Sequence, residues 1–288
     1  MKTKMSEKIF NVFNILILSL LMGITLYPVL HVVAVSFSAN EYTMRGLVTI
    51  YPMGFNLEAY RYMFKISAIL DGYANSFFVM LMGTLINLLL TCITAYPLAE
   101  KNLEGRSFIL FIIVFTMMFN GGMIPGYMLV KDLGLINSLW ALILPGAISA
   151  YNLILMRNFF QQIPVSLIES ARIDGLSEIS ILFRIVIPLS TAALATIGLF
   201  YAVSHWNSYF SAVLYLNTKS KWPLQLVLRD VLINMELSEV VSDDYLTNIP
   251  LEPLKMATIV GTTLPILLVY PFLQKYFVKG VLIGSIKG

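Results

Sequence analysis

Few residues in this chain could carry chemistry, and their spacing restricts the kind. His31 and His205 are the only histidines, too far apart for the H-E-x-x-H spacing of a zinc hydrolase, and two distant imidazoles do not make a metal site. Cys92 is the single cysteine, which excludes an internal disulfide and a Cys-rich metal site. The nearest approach to a phosphate-binding loop is Gly121-Gly122-Met123-Ile124-Pro125-Gly126-Tyr127. It lacks the Lys and Ser/Thr that hold phosphate and magnesium, so its glycines read as backbone bends. What remains is uncharged: His205-Trp206-Asn207-Ser208-Tyr209 and Tyr151-Asn152 set aromatic faces beside amides and hydroxyls. Such sets can hold a ligand by stacking and neutral hydrogen bonds. The same residue types also gather at membrane interfaces and between packed membrane helices.

The elements that would position these residues follow from composition. Of 288 residues 58% are hydrophobic and only 12% are charged, about half the charge fraction of a soluble domain. A soluble enzyme and a disordered chain are both excluded, and a net charge of +3 is too small and scattered for a nucleic-acid surface. A bilayer core needs roughly 20 apolar residues per helix. Five runs free of Asp, Glu, Lys and Arg meet this need: Ile9–Val35, Phe77–Leu98, Leu139–Met156, Leu189–Leu216 and Met256–Gln274. A sixth starts at Ser107 and stays apolar only to Phe119. It reaches spanning length by continuing to Val130 through Asn120-Gly121-Gly122 and Pro125-Gly126, which predicts broken or re-entrant backbone of the sort tolerated only beside protein or a wet cavity. The first run follows Lys2, Lys4 and Lys8, but it is far longer than the roughly 7 to 15 residues of a signal core and reads as a retained helix.

The expected architecture is therefore an all-α integral membrane chain, a single transmembrane domain over residues 1–288 with six helices. Basic residues favour the cytoplasmic side. With the amino terminus inside, the inner segments hold eleven of the 19 Lys and Arg, and the short turn Lys101 to Arg106 is the cleanest local indication. Both termini are then expected in the cytoplasm. No acid or base lies within a span apart from the histidines, which disfavours a proton-coupled transporter.

Between the fourth and fifth spans, Arg157 to Pro188 forms an inner loop. Pro164 suits the first turn of a helix, and Val165, Leu167, Ile168, Ala171 and Ile173 follow before Gly175, a helix stop. Ser177 can cap a second helix with Ile179, Leu182, Phe183 and Val186 along one face, ended by Pro188. An amphipathic hairpin on the membrane surface fits this periodicity equally well.

The residues themselves are more specific. Glu169-Ser170-Ala171, then Gly175, then Ile185-Val186-Ile187-Pro188 resembles the E-A-A loop of permease subunits in bacterial binding-protein-dependent ABC importers. Ser170 replaces the first Ala of that pattern and Ile187 the usual Leu. The ends Tyr276-Phe277-Val278-Lys279-Gly280 and Gly284-Ser285-Ile286-Lys287-Gly288 resemble carbohydrate permeases of the maltose permease class. Asn120 to Gln161, with Asn-Gly-Gly-Met-Ile-Pro and Leu-Pro-Gly-Ala-Ile, resembles their oligosaccharide and polysaccharide branch.

The resemblance implies a permease in the bacterial cytoplasmic membrane, a transport subunit rather than an enzyme. It would work with a homologous second permease, two cytosolic ATPase subunits and an extracellular sugar-binding protein, in contact with membrane lipid and with no nucleic acid. ATP and magnesium would sit on the ATPases and no cofactor on this chain. Glu169, Ser170, Ala171, Asp174, Gly175, Ile185 and Pro188 would form the ATPase-docking surface, with Arg172 and Arg184 at that surface or at lipid headgroups. The outer loop Asn217 to Pro250 is long enough to touch the binding protein, or is a plain connector. For the sugar path the chosen residues are Asn120, Tyr151, Asn152, Trp206, Asn207 and Tyr209. The competing readings are an importer permease for a non-sugar solute and an intramembrane enzyme.

Overall fold

The computed structural model describes residues 5–119, 121–240 and 250–285, and every regular element among them is helical. They divide into two compact units. The first holds the described residues up to Ile69 together with Leu228–Pro265, and the second holds Leu70–Val227 with the residues from Ile266 onward.

The first unit opens with α1 (Met5–Ser36), whose apolar stretch Phe10–Ser36 is long enough to cross a membrane and has none of its most apolar window buried within the chain. Two short helices follow, α2 (Asn40–Met44) and α3 (Glu58–Lys65). The segment between them is tied to the end of α1 by polar bonds: the Ser38 Oγ donates to Ala34 O at 2.7 Å and accepts from Met53 N at 3.0 Å. His31, one of the two ionisable candidates, donates its Nδ1–H to Thr49 O at 2.8 Å, a structural bond. Ala34, Val35 and Val48 form the local core with Tyr42 and Met256.

In the second unit α4 (Ser67–Ala99) is the central helix. Next come α5 (Arg106–Met118) and α6 (Met123–Asp132), bent 113° from each other, in agreement with the broken backbone expected there. The run Leu139–Met156, expected as one uninterrupted span, is a single 3-10 turn at Leu139–Leu142 followed by α7 (Ala150–Phe160). Pro145-Gly146 lies in the gap, where Pro removes a donor and Gly weakens helix. At 11 residues, α7 is about 16 Å long. The inner loop contributes α8 (Val165–Ile173), α9 (Glu178–Ile181), a π-turn at Leu182–Val186 and α10 (Ile187–Leu189). After Ser190 the chain turns by 87° into α11 (Thr191–Trp206). The fifth expected span is interrupted again, because α11 stops at Trp206 and α12 (Phe210–Tyr215) begins after a three-residue gap. The last helices are α13 (Leu224–Val240), which starts in this unit, and α14 (Leu251–Ser285).

The fold is thus an all-α multi-pass membrane fold. Three helices are long and apolar enough to cross, at Phe10–Ser36, Ser67–Ala99 and Leu251–Leu268, and two bent pairs raise the number to five. The core of the second unit joins Cys92 and Ala95 of α4, Leu153 and Met156 of α7, Ile181 and Val186 of the loop, and Ile197 and Tyr201 of α11. The loop is therefore packed against the helices that it connects.

Candidate functional site

Two places in the second unit concentrate polar groups, and they are built differently. The first is the loop 157–188. Pro164 caps α8 from just outside it instead of occupying its first turn. The helix ends in a Schellman motif: Gly175 N donates to Arg172 O and Leu176 N to Ala171 O, both at 3.0 Å. Gly175 sits at φ +81°, where an added Cβ would meet no neighbour but would strain the backbone. Ser177 then caps α9 by accepting from Ser180 N at 3.3 Å, as its sequence position predicts. The second helix differs from expectation in its face and its end. Ile181, Leu182 and Val186 are buried whereas Ile179 and Phe183 are exposed. The segment also contains a π-turn, in which Ile187 N donates to Leu182 O five residues back. Pro188 has no N–H and its ring crowds the carbonyl four residues earlier, so widening the preceding turn relieves the clash. The helix continues past Pro188 to Leu189.

Of the expected docking residues, Glu169, Ser170, Asp174, Gly175 and Pro188 are exposed. Ala171 is buried at 4% exposure and Ile185 packs against the core, so these two hold the loop together. The outward side of α8 and α9 also displays Val165, Ile173 and Ile179, apolar side chains at 57%, 86% and 73% exposure.

An ion-pair cluster that sequence reasoning missed anchors this loop. Arg172 donates from Nε to Glu178 Oε1 at 2.7 Å and from a terminal nitrogen to Oε2 at 3.3 Å. Tyr96 on α4 donates its hydroxyl to Glu178 Oε2 at 2.6 Å, and Arg172 lies 3.5 Å from Glu100. The hydrogen bond from Arg172, then that from Tyr96, holds the Glu178 carboxyl below the usual carboxylate range. The same bond to Glu178 binds the Arg172 proton more firmly. The end of α4 is fixed as well: Arg106 Nε and Arg157 Nε both donate to Leu98 O, at 3.1 and 3.2 Å, and the Gln161 amide donates to Ala99 O at 3.2 Å. Cations and donors at that position complete the last-turn carbonyls and oppose the helix dipole. Sequence spacing carries no sign of these pairings, since Tyr96 and Glu178 are 82 residues apart.

The second place is a cavity of about 650 Å³ inside the apolar helices. It opens where the two expected spans are broken, between residues 142–149 and 204–211, with α4 behind. Asn152 is buried at 5% exposure and lines it together with Asn207 and Tyr209. Trp206 does not: it is 1% exposed and packs edge-on against Phe77 at 5.3 Å. Tyr151 points elsewhere, 54% exposed on α7. Asn120 lies outside the described residues. A shared helical face for positions 206 and 209 is ruled out because the helix ends between them. Sequence reasoning also missed Asn87, which sits on α4 among leucines with its Nδ2–H directed at His205 Nε2 at 3.0 Å. One turn along, Thr91 Oγ1 and the Tyr201 hydroxyl lie 2.8 Å apart, and the same hydroxyl accepts from Ser149 N at 3.0 Å. An Asn within a leucine run is the available signal, and it escapes any search of the spans for ionised groups. Among the described residues no three His, Cys, Asp or Glu side chains converge as a metal site.

Comparison with known proteins gives these two places a context. Residues 107–283 match the family described as binding-protein-dependent transport system inner membrane component. The chain is 48% identical over 282 residues to Protein LplC of Bacillus subtilis, covering 98% of this chain and 96% of that one. It is 46% identical over 289 residues to the polygalacturonan/rhamnogalacturonan transport system permease protein YtcP of Bacillus subtilis, covering 99% and 100%. A chain in the crystal structure of a bacterial ABC transporter involved in the import of the acidic polysaccharide alginate superposes with a TM-score of 0.90 at 36% identity, over 96% of this chain and 99% of that one.

Proposed function

Since the chain belongs to the family of binding-protein-dependent transport system inner membrane components, we propose that it is the permease subunit that carries an oligosaccharide or polysaccharide fragment through an ATP-driven importer. Its place in the importer is half of the translocation pathway, opposite a homologous permease, above two ATPase subunits and below an extracellular sugar-binding protein. The observation that carries the saccharide reading is the end-to-end likeness to a polygalacturonan/rhamnogalacturonan permease. The cavity supports it, because its amides, hydroxyls and aromatic rings at Asn152, Asn207 and Tyr209 suit a hydroxylated ligand.

The docking reading is supported by the outer face of the 157–188 loop. Exposed Val165, Ile173 and Ile179 around Glu169 and Asp174 combine apolar area with carboxylates, a composition suited to a basic-rimmed protein cleft. Alternating access then follows rigid-body motion passed through the loop, which requires different contacts in two states. The topology that goes with this reading is one transmembrane domain of six crossings with both termini in the cytoplasm, supported by the eleven of 19 Lys and Arg on the inner segments. In it the broken segments around the cavity count as two crossings.

The test is to purify the chain from its native membrane with its neighbours. ATPase subunits should copurify, and ATP hydrolysis should rise when sugar-loaded binding protein is added. A chain that comes alone, or a complex indifferent to the binding protein, removes the reading. A ligand screen on that binding protein then names the saccharide.

A further inference from the structure

Two residues that line the cavity each carry a buried polar atom with no partner among the described residues. Asn87 is 1% exposed, yet its Oδ1 has no hydrogen-bond partner, and the Ser208 Oγ, on the unwound segment between α11 and α12, has none either. Turning the Asn87 amide over would leave its other half unpaired, because one contact to His205 cannot serve both ends of the amide. Buried polar groups without partners are rare in proteins, and each calls for an explanation, a bound ligand or water among them. Both residues line the same space, and His205 lines it beside them.

Packing holds this arrangement in place. His205 is 7% exposed, and its ring lies against the backbone of α4 at Gly83, so closely that a β-carbon at 83 would collide with the imidazole. Gly83 thus sets the position of His205, and His205 sets that of the Asn87 amide. The lining is also uncharged: Lys, Arg, Asp and Glu are missing from it among the described residues. A carboxylate entering here would lose its water without gaining a counter-charge, which is heavily unfavourable, whereas hydroxyl groups suit both sites, one donating to Asn87 Oδ1 and one pairing with the Ser208 hydroxyl.

We propose that Asn87 and Ser208, with His205 as the positioning residue, form a specificity-determining subsite that reads the hydroxyl groups of a saccharide and not its carboxylates. This rests on the transport reading above. In an importer of acidic polysaccharide, the sugar face turned to this chain is the hydroxyl face.

The experiment uses the complete importer in nanodiscs without its binding protein, and saturation-transfer NMR with two matched probes, trigalacturonate and its carboxyl-reduced counterpart galactotriose. Galactotriose should bind at least as tightly as trigalacturonate. Asn87→Leu should weaken galactotriose roughly tenfold, and Ser208→Ala, which removes only a hydroxyl from an unwound segment, roughly fivefold. Leu81→Ala, on the 63% exposed side of α4, should change nothing. Binding of trigalacturonate alone, unchanged affinity in Ser208→Ala, or no binding of either probe overturns the proposal. Stimulation of ATP hydrolysis when the binding protein is added back to this preparation separates the two readings. If it persists while the subsite variants bind normally, the subsite is wrong and the transporter stands. If the unaltered importer lacks it, the transport reading itself falls.

Discussion

At the 157–188 loop polarity is carried by full charges that remain in water: Arg172 and Glu178 keep 41% and 54% of their side chains exposed while they pair. In the cavity it is carried by uncharged groups, the innermost of which are almost wholly removed from solvent, Asn87 at 1% and His205 at 7%. An exposed ion pair tolerates the loss of a partner because water replaces it, and its net contribution is about 0 to 1 kcal/mol. A buried neutral pair has no such substitute, so its geometry must be fixed by packing, here by the absence of a β-carbon at Gly83. On the proposed reading, charge is used where a partner protein and solvent are met, and shape plus neutral hydrogen bonding where a solute would pass.

That contrast can be broken most severely at the loop's outer face. Glu169→Lys reverses the charge at the proposed docking surface. Binding-protein-stimulated ATP hydrolysis should fall by at least about tenfold, since like charges across an interface cost several kcal/mol. Normal stimulation in an assembled Glu169→Lys complex would place the contact elsewhere.

The next effect is at the cavity. Gly83→Ala should push the His205 ring off Asn87, with an overpacking cost of roughly 1–3 kcal/mol. Thermal unfolding and uptake should both suffer, and neither loss should depend on salt. A fully stable Gly83→Ala protein with unchanged uptake would mean that the ring can retreat freely. Asn207→Ala is milder: its amide donates to Val203 O at 2.9 Å and lines the cavity. Apparent substrate affinity should weaken by about fivefold, the worth of one hydrogen bond, with assembly intact.

The smallest effect expected is that of Glu178→Gln. Its carboxyl is held below the ordinary range by Arg172 and Tyr96, so its stabilising contribution is complete above the unfolded value of about 4.3. It disappears as pH falls through the depressed folded value. The stability gap between Glu178→Gln and the parent should be at most about 1 kcal/mol at pH 7 and shrink at high salt. It should close in acid, as followed by calorimetry across pH. A gap that widened in acid would contradict the assigned sign.

The loop is largely legible in the sequence because its signals are local. Pro164, Gly175 and Ser177 act on their immediate backbone, and each stands at or next to a helix end. What local signals do not show is the π-turn, nor that Ile179 and Phe183 face outward while Ile181 is buried. The cavity is only half legible. Asn152, Asn207 and Tyr209 stand out by residue type and line it, but Trp206, which stands out on the same basis, is packed into the core. Type gives the chemistry of a side chain and not its direction, and direction here depends on where α11 unwinds. Asn87 and Gly83 gain their meaning only from His205, more than a hundred residues away. No spacing rule spans that distance.

The π-turn also gives the loop slack. Five residues, Leu182–Val186, stand where a regular helix would use one fewer per turn, and the wide turn takes up the extra residue so that the helix on either side stays in phase. Deleting a single residue there would let the helix close normally and leave Glu169 and Asp174 facing as they do now. A one-residue deletion inside the wide turn should therefore be tolerated better than one within α8, which has no such turn.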